Sequence, residues 1–333
     1  MNIKRLFNDE AGVSPIVATL VLVVVAIAGA AAVGTILGSF SSDVSDSASS
    51  DSAAMGASTE LLIAGSTTIQ PVSEKLAEAF MKKTPGIKVS VQAGGSGAGI
   101  ASTKMGIVDI GAASEDVDTV TTYPELKKHQ IGASAVVFVN GTGVTVTGPV
   151  SKADIKKIYD DANTNGGVVT MAPGTYANIS STGNVTVLQR SESSGTEDTA
   201  SGYIMGDVKT KDFFDKLTKV KGVNGNAGMV AEMTSNPNTI GFVDIGFAIN
   251  SAAVTAIPVD SMTVTSESDI KKESLKTLKG QTSTFPALLT RPLNYLTLGE
   301  PSTIEKAFIS FAKEPSQKGI FESEGYFSMY DIA

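Results

Sequence analysis

From Ala11 to Ser42 the chain carries no charged residue, and this decides how the rest can be organised. The core of that stretch, Ile16–Phe40, reads IVATLVLVVVAIAGAAAVGTILGSF. As a helix it would span about 38 Å, against a hydrocarbon thickness of about 30 Å. A helix with no charged face at this length is poorly suited to a water-soluble domain, so the sequence predicts a transmembrane helix over residues 13–40. Lys4 and Arg5 precede it. The positive-inside rule then keeps the N-terminus in the cytoplasm and places everything after the span outside, anchored at the cell surface.

An ordinary secretory signal does not fit, because the apolar region is too long and no A-x-A site follows it. The run Asn8-Asp9-Glu10-Ala11-Gly12-Val13-Ser14-Pro15-Ile16-Val17 resembles instead the start of archaeal type IV pilins. The resemblance implies a leader of residues 1–12 cut before Val13, and a retained helix through which copies could form a homo-oligomer. An uncleaved signal anchor is the alternative. Residues 41–59 contain eight serines and three aspartates among 19 positions, too polar to fold alone, and are expected to be a flexible linker.

After residue 60 short apolar runs alternate with helix-period stretches. Strands are predicted at 61–65, 87–93, 108–112, 134–140, 185–190 and 287–296, with a strand pair or a strand and turn at 239–249. Helices are predicted at 71–83, 151–162, 212–220 and 302–314, after GGSG (94–97) and after SSGT (193–196). Residues 161–184, rich in Gly, Asn, Ser and Thr, read as an irregular loop. Strands and helices in alternation imply an α/β architecture. Three sequons, at Asn140, Asn178 and Asn184, are glycosylation candidates on an exported domain.

Composition narrows the chemistry. There is no cysteine and a single histidine, His129, so thiol nucleophiles, thiolate or multi-histidine metal sites and iron–sulfur clusters are excluded. His129 is expected at the surface. Lys and Arg number 26 against 34 Asp and Glu, a net charge of -8, which disfavours nucleic acid as a partner. There is no P-loop and no G-x-S-x-G, and Asp109, Asp116 and Asp118 lack the spacing of a calcium loop. No cofactor, metal or enzymatic activity is expected.

One local design occurs three times: a strand ends, Gly, Ser and Thr follow, and a helix begins. It stands at Gly65-Ser66-Thr67-Thr68, Gly94-Gly95-Ser96-Gly97 and Ser193-Ser194-Gly195-Thr196. Free N–H groups and the positive dipole end make a helix start an anion site, and hydroxyls add donors. Arg190, four residues before Ser194, can supply a two-pronged fork for an oxyanion, with Glu192 able to hold it. A plain N-cap is the alternative for each serine or threonine.

At these residues the sequence resembles the phosphate-binding proteins of phosphate ABC transporters. The matching stretches are GSTTIQP (65–71), QAGGSGAGI (92–100), VDIGAAS (108–114), RSESSGT (190–196), IGFVDIGFA (240–248), RPLNYL (291–296) and AFISFAKEPSQKGIFESEGY (307–326). The resemblance implies a two-lobe α/β fold of the periplasmic-binding-protein type (class II), hinged, with residues 60–138 and 246–333 as lobe 1 and 139–245 as lobe 2. It implies capture of inorganic phosphate for an ABC permease by Thr67, Thr68, Ser96, Ser114, Arg190, Ser194, Gly195 and Thr196, with Glu192 orienting the arginine. Many members carry an aspartate where Ser114 stands here, followed by Glu115, so rejection of unprotonated oxyanions is in question, and residues 161–184 lack the usual pattern. The alternative is a pilin-like filament subunit whose binding lobes are vestigial or take sulfate, tungstate or arsenate.

Overall fold

The computed structural model describes residues 59–333; the expected leader, membrane helix and nearly all of the linker lie outside the described residues. Among those described, no helix is long and apolar enough to cross a membrane. The chain begins β1 (Thr59–Gly65), α1 (Gln70–Lys83), β2 (Ile87–Ala93), α2 (Ser96–Lys104), β3 (Ile110–Ala113). In α1, Pro71 fits the first turn, where an N–H is dispensable. Val72, Leu76, Ala77 and Phe80 form its buried stripe, and Lys82 and Lys83 oppose the negative C-terminal end. Strand β1 lies parallel between β2 and β3, so α1 and α2 both start from the same edge of the sheet.

Next come β4 (Leu126–Gly141), β5 (Val144–Val146), α3 (Lys152–Thr164), β6 (Val168–Thr170), β7 (Ile179–Ser181), β8 (Asn184–Arg190) and α4 (Gly195–Met205). They are followed by β9 (Lys221–Val223), α5 (Gly225–Ser235), β10 (Thr239–Asp244), α6 (Ile245–Ile249), β11 (Val254–Ala256) and α7 (Glu267–Leu278). The chain closes with β12 (Thr290–Leu298), α8 (Thr303–Ala312), α9 (Lys318–Ser323), β13 (Phe327–Ser328) and α10 (Met329–Ile332). The main strand order is β2-β1-β3-β12-β4-β10-β8-β6.

Strand β4 joins the two halves. Its first part pairs antiparallel with β12, from Leu126↔Leu298 to Ala135↔Thr290, and its second part with β10, from Val136↔Asp244 to Asn140↔Ile240. Residues 131–141 are buried without interruption, as a strand covered on both faces requires. Two cores result. One gathers Leu61, Ile63, Val72, Phe80, Tyr295, Phe308 and Phe321; the other gathers Phe138, Tyr159, Tyr203, Phe214 and Phe242. These are the two lobes.

The structure departs from the sequence expectations in several places. The resemblance places residues 246–289 in lobe 1, yet Ala248, Val254, Ile257, Met262, Ile270, Phe285 and Leu289 pack in the second core, and β11 pairs with the end of β4. The chain therefore returns to lobe 1 at β12. Residues 161–184 are not wholly irregular: they hold the end of α3, β6 and β7. Residues 212–220 form only a 3-10 turn, Phe214–Lys216. Adjacent Phe213 and Phe214 both pack on Tyr159, at 6.3 and 5.0 Å between ring centroids, whereas an α-helix would turn neighbouring side chains apart. The strand expected at 134–140 extends back to Leu126, which half-buries His129, its Nε2 3.0 Å from Thr297 Oγ1. Asn140 is no glycosylation site here: it is buried, its Nδ2 donating to the Gly141 and Val144 carbonyls. Asn178 and Asn184 are exposed.

Candidate functional site

The ends of β1, β2 and β8 and the starts of α1, α2 and α4 face one another where the lobes meet. From lobe 1 come Ser66, Thr68, Ser96 and Ser114, all buried. Ser66 Oγ accepts from the Thr68 N–H at 3.2 Å and donates to Ser114 Oγ at 2.9 Å. Ser96 Oγ accepts from the Ser114 N–H at 3.1 Å, and its hydroxyl lies 3.3 Å from that of Ser114. From lobe 2 come Arg190, Ser194, Gly195 and Thr196. Ser194 caps α4, accepting from the Thr196 and Glu197 N–H groups, which leaves its own proton available. Thr196 Oγ1 lies 3.4 Å from Thr68 Oγ1.

The lobes touch here, and glycine permits it. A Cβ on Gly195 would stand 2.7 Å from the Ser114 carbonyl and 2.9 Å from Ser96 Oγ. Gly95, at φ +87°, would bring a Cβ within 2.5 Å of the Ser193 carbonyl. That carbonyl accepts from the Gly97 N–H at 3.4 Å.

Arg190 supplies the positive charge. It is 3% exposed, and its Nη2 donates to Asn226 Oδ1. Its Nε and Nη1 are buried and make no hydrogen bond within the protein. Burial pulls its pKa down to about 10, with Glu192 opposing, so it remains a cation at neutral pH. Glu192 lies 3.9 Å from Nη1, an ion pair without a hydrogen bond; its Oε1 accepts from the Gly225 N–H at 3.1 Å, and its Oε2 is buried without a partner. Asn226 holds the guanidinium more directly than Glu192 does. Glu197 Oε2 accepts from the Arg190 backbone N–H at 2.8 Å, and burial pushes this carboxyl up to about 8.

Arg190 is not the only cation of the site. Arg291, equally buried at the start of β12, donates through Nη2 to Thr68 Oγ1 at 2.9 Å and to Asp244 Oδ2 at 2.7 Å, and through Nη1 to the Ser114 carbonyl at 3.1 Å. Asn226 Nδ2 also donates to Thr68 Oγ1, at 3.0 Å. Sequence reasoning named neither Arg291 nor Asn226 nor Asp244 as site residues; RPLNYL was visible as a motif, but its partners lie far away along the chain. Two expected residues stand apart from the hydroxyl cluster. Thr67 packs beside Gly225, and Glu115 turns to Lys211. A cavity of 660 Å³ opens next to Arg190, but its walls, Arg190–Ser194, Glu197, Asp198 and Lys209–Asp215 among them, come from lobe 2 alone.

In chemical terms this is a buried set of hydroxyl donors, a helix start and a guanidinium whose Nε and Nη1 are free to donate. Such a set complements a tetrahedral oxyanion.

The sequence profile of the PBP superfamily domain matches residues 30–312. The phosphate-binding protein PstS of Bacillus subtilis (strain 168) is 26% identical over 298 residues, 86% of this chain and 86% of its own. Among solved structures, one from Clostridium perfringens, described as a phosphate ABC transporter substrate-binding protein with bound phosphate, aligns at a TM-score of 0.64 and 22% identity, covering 81% of this chain and all of that one. An ABC-type phosphate transport receptor from Vibrio cholerae aligns at 0.57 and 23% identity, covering 80% of this chain and 99% of its own. At these identities the two structures support the fold.

Proposed function

Because the chain belongs to the PBP superfamily, we propose that it captures inorganic phosphate between its two lobes and delivers it to the permease of a phosphate ABC transporter. The observation that carries this reading is buried Arg190, whose Nε and Nη1 have no protein partner and whose Nη2 is tied through Asn226 to the Thr68 hydroxyl of the cluster. Either free nitrogen, paired with the second N–H of Nη2, offers two charge-assisted hydrogen bonds to two oxygens of one phosphate. The phosphate-binding names of the B. subtilis relative and of the C. perfringens and V. cholerae structures support the same ligand. Binding and release, not catalysis, is the activity assigned.

The N-terminal sequence supports a surface location: the apolar stretch 13–40 as a membrane anchor of pilin-like type and residues 41–59 as its tether. Asn178 and Asn184, both exposed, are the sequons accessible to glycosylation.

Calorimetry of the protein with phosphate, arsenate, sulfate and tungstate tests the reading. Phosphate is expected to bind with the highest affinity. Saturable heat with another oxyanion alone would change the ligand, and none with any of the four would favour a vestigial site on a filament subunit.

A further inference from the structure

Glu115 follows Ser114 at the end of β3, and its side chain is about one-tenth exposed. Its backbone carbonyl accepts from Asn294 Nδ2 at 2.7 Å, which fixes it to lobe 1. Across the interlobe boundary stand two lobe 2 groups. Asp198 lies in the first turn of α4, its N–H donating to the Ser194 carbonyl at 2.9 Å. Lys211 belongs to the segment after α4. Its Nζ donates to Glu115 Oε2 and lies 3.1 Å from Asp198 Oδ2.

The cluster is thus one residue from the ligand-facing hydroxyl of Ser114 and one helical turn from that of Ser194, yet touches neither. Two carboxylates from opposite lobes meet around one ammonium. Without it they would repel across the boundary. The electrostatics agree. Burial, then the charge of Glu115, pushes Asp198 above its ordinary value. Burial pulls Lys211 down, but Glu115 and Asp198 outweigh it and hold it above its ordinary value.

We propose that Lys211 is a positioning residue for anion retention: it bridges Glu115 and Asp198 over the closed interlobe site and so sets how slowly a bound oxyanion leaves. This rests on the reading of the site as an oxyanion receptor. A bridge that exists only when the lobes are closed acts on dissociation. A lysine that merely attracted anions would act on association and lose its effect in salt.

Stopped-flow kinetics of the full-length chain in detergent, with inorganic phosphate as the probe, separate the two. Lys211→Met is expected to speed dissociation on the order of tenfold, with association changed less than about threefold. Lys211→Arg should stay near wild type. Glu115→Gln should also release phosphate faster, which guards against a Lys211→Met chain that folds poorly. Adding Glu115→Gln and Asp198→Asn to Lys211→Met should restore slower release, since the repulsion goes with the charges. Slower association with unchanged dissociation, or no rescue in the triple variant, would overturn the bridge. Wild type that shows no saturable phosphate binding would overturn the receptor reading and the bridge with it, whereas wild type that binds while Lys211→Met releases no faster would overturn the bridge alone.

Discussion

Arg291 Nη2 donates to Thr68 Oγ1 at 2.9 Å, although the two residues are 223 positions apart. Asn226 Nδ2 fills the other acceptor direction of the same oxygen at 3.0 Å. A hydroxyl with both lone pairs occupied can only donate. Thr68 is therefore committed as a donor, either to Thr196 Oγ1 or to an anion lying between the lobes. Arg291 spends its charge on this task and on Asp244, which leaves Arg190 as the guanidinium with free N–H directions.

Arg190→Ala is accordingly expected to remove most oxyanion affinity, because Arg291 is already engaged and does not substitute. Hydrogen bonds to a charged group contribute about 1.5–3 kcal/mol each, and two are lost, so affinity should fall at least about a hundredfold. Calorimetry with phosphate measures it. A variant within about threefold of wild type would mean that the anion sits elsewhere.

The Arg291–Asp244 pair is almost wholly buried, at 2% and 0% side-chain exposure. Removing one partner of such a pair typically costs about 3–5 kcal/mol, because the other charge is left alone in the interior. Arg291→Met should thus unfold at lower denaturant than wild type, and Arg291→Met with Asp244→Asn should recover part of the loss. If the double variant is no more stable than the single one, Arg291 acts mainly through Thr68 and Ser114 rather than through Asp244.

Glu197 gives a pH dependence of definite sign. Burial raises it from 4.5 to about 8. The folded chain holds a proton there that the unfolded chain releases, so this group's contribution to stability falls as pH rises from about 4.5 to about 8. Glu197→Gln carries no such proton. Its melting temperature should gain on wild type progressively between pH 5 and pH 8, then run parallel. A constant offset across that range would show that Glu197 stays ionised beside Arg190.

The parts of this site that could be read from sequence are those built within a few residues. Ser194 capping α4, Gly95 opening α2 and Pro71 in the first turn of α1 are local devices, and each leaves a mark in the sequence. Arg291, Asn226 and Asp244 leave none, because their roles come from β4, which carries β12 and β10 on either side and brings the start of one near the end of the other, and from the start of α5, where Asn226 lies. The boundary between lobes is hidden for the same reason, since it takes the pairing of β11 with β4 and the packing of Ala248, Ile257, Ile270 and Leu289 to place residues 246–289 in the second core. Helix α7 buries only Ile270 and Ser274, and its mark in the sequence is the local one of Ser266, which caps it by accepting from the Asp269 N–H.

Selectivity follows from which lining groups can accept a proton. Hydrogen phosphate carries one and sulfate at neutral pH does not. Ser114 Oγ already accepts from Ser66 Oγ at 2.9 Å, so its own proton points to Ser96 or to the anion. It suits an oxygen without a proton at least as well as one with it. A mismatched polar group in a closed site costs about 1–3 kcal/mol, ten- to a hundredfold in affinity, and Ser114 imposes no such mismatch on sulfate. Ser114→Asp should introduce the missing acceptor and widen the preference for phosphate over sulfate. Glu115 is not that acceptor, because Lys211 engages its carboxylate at the interlobe boundary. Glu115→Gln should therefore weaken both anions in parallel and leave their ratio unchanged. Competition titrations of phosphate against sulfate on wild type, Ser114→Asp and Glu115→Gln read these ratios directly. If wild type already excludes sulfate by several orders of magnitude, the acceptor is elsewhere, and Glu192, whose Oε2 is buried without a protein partner, becomes the residue to test with Glu192→Gln.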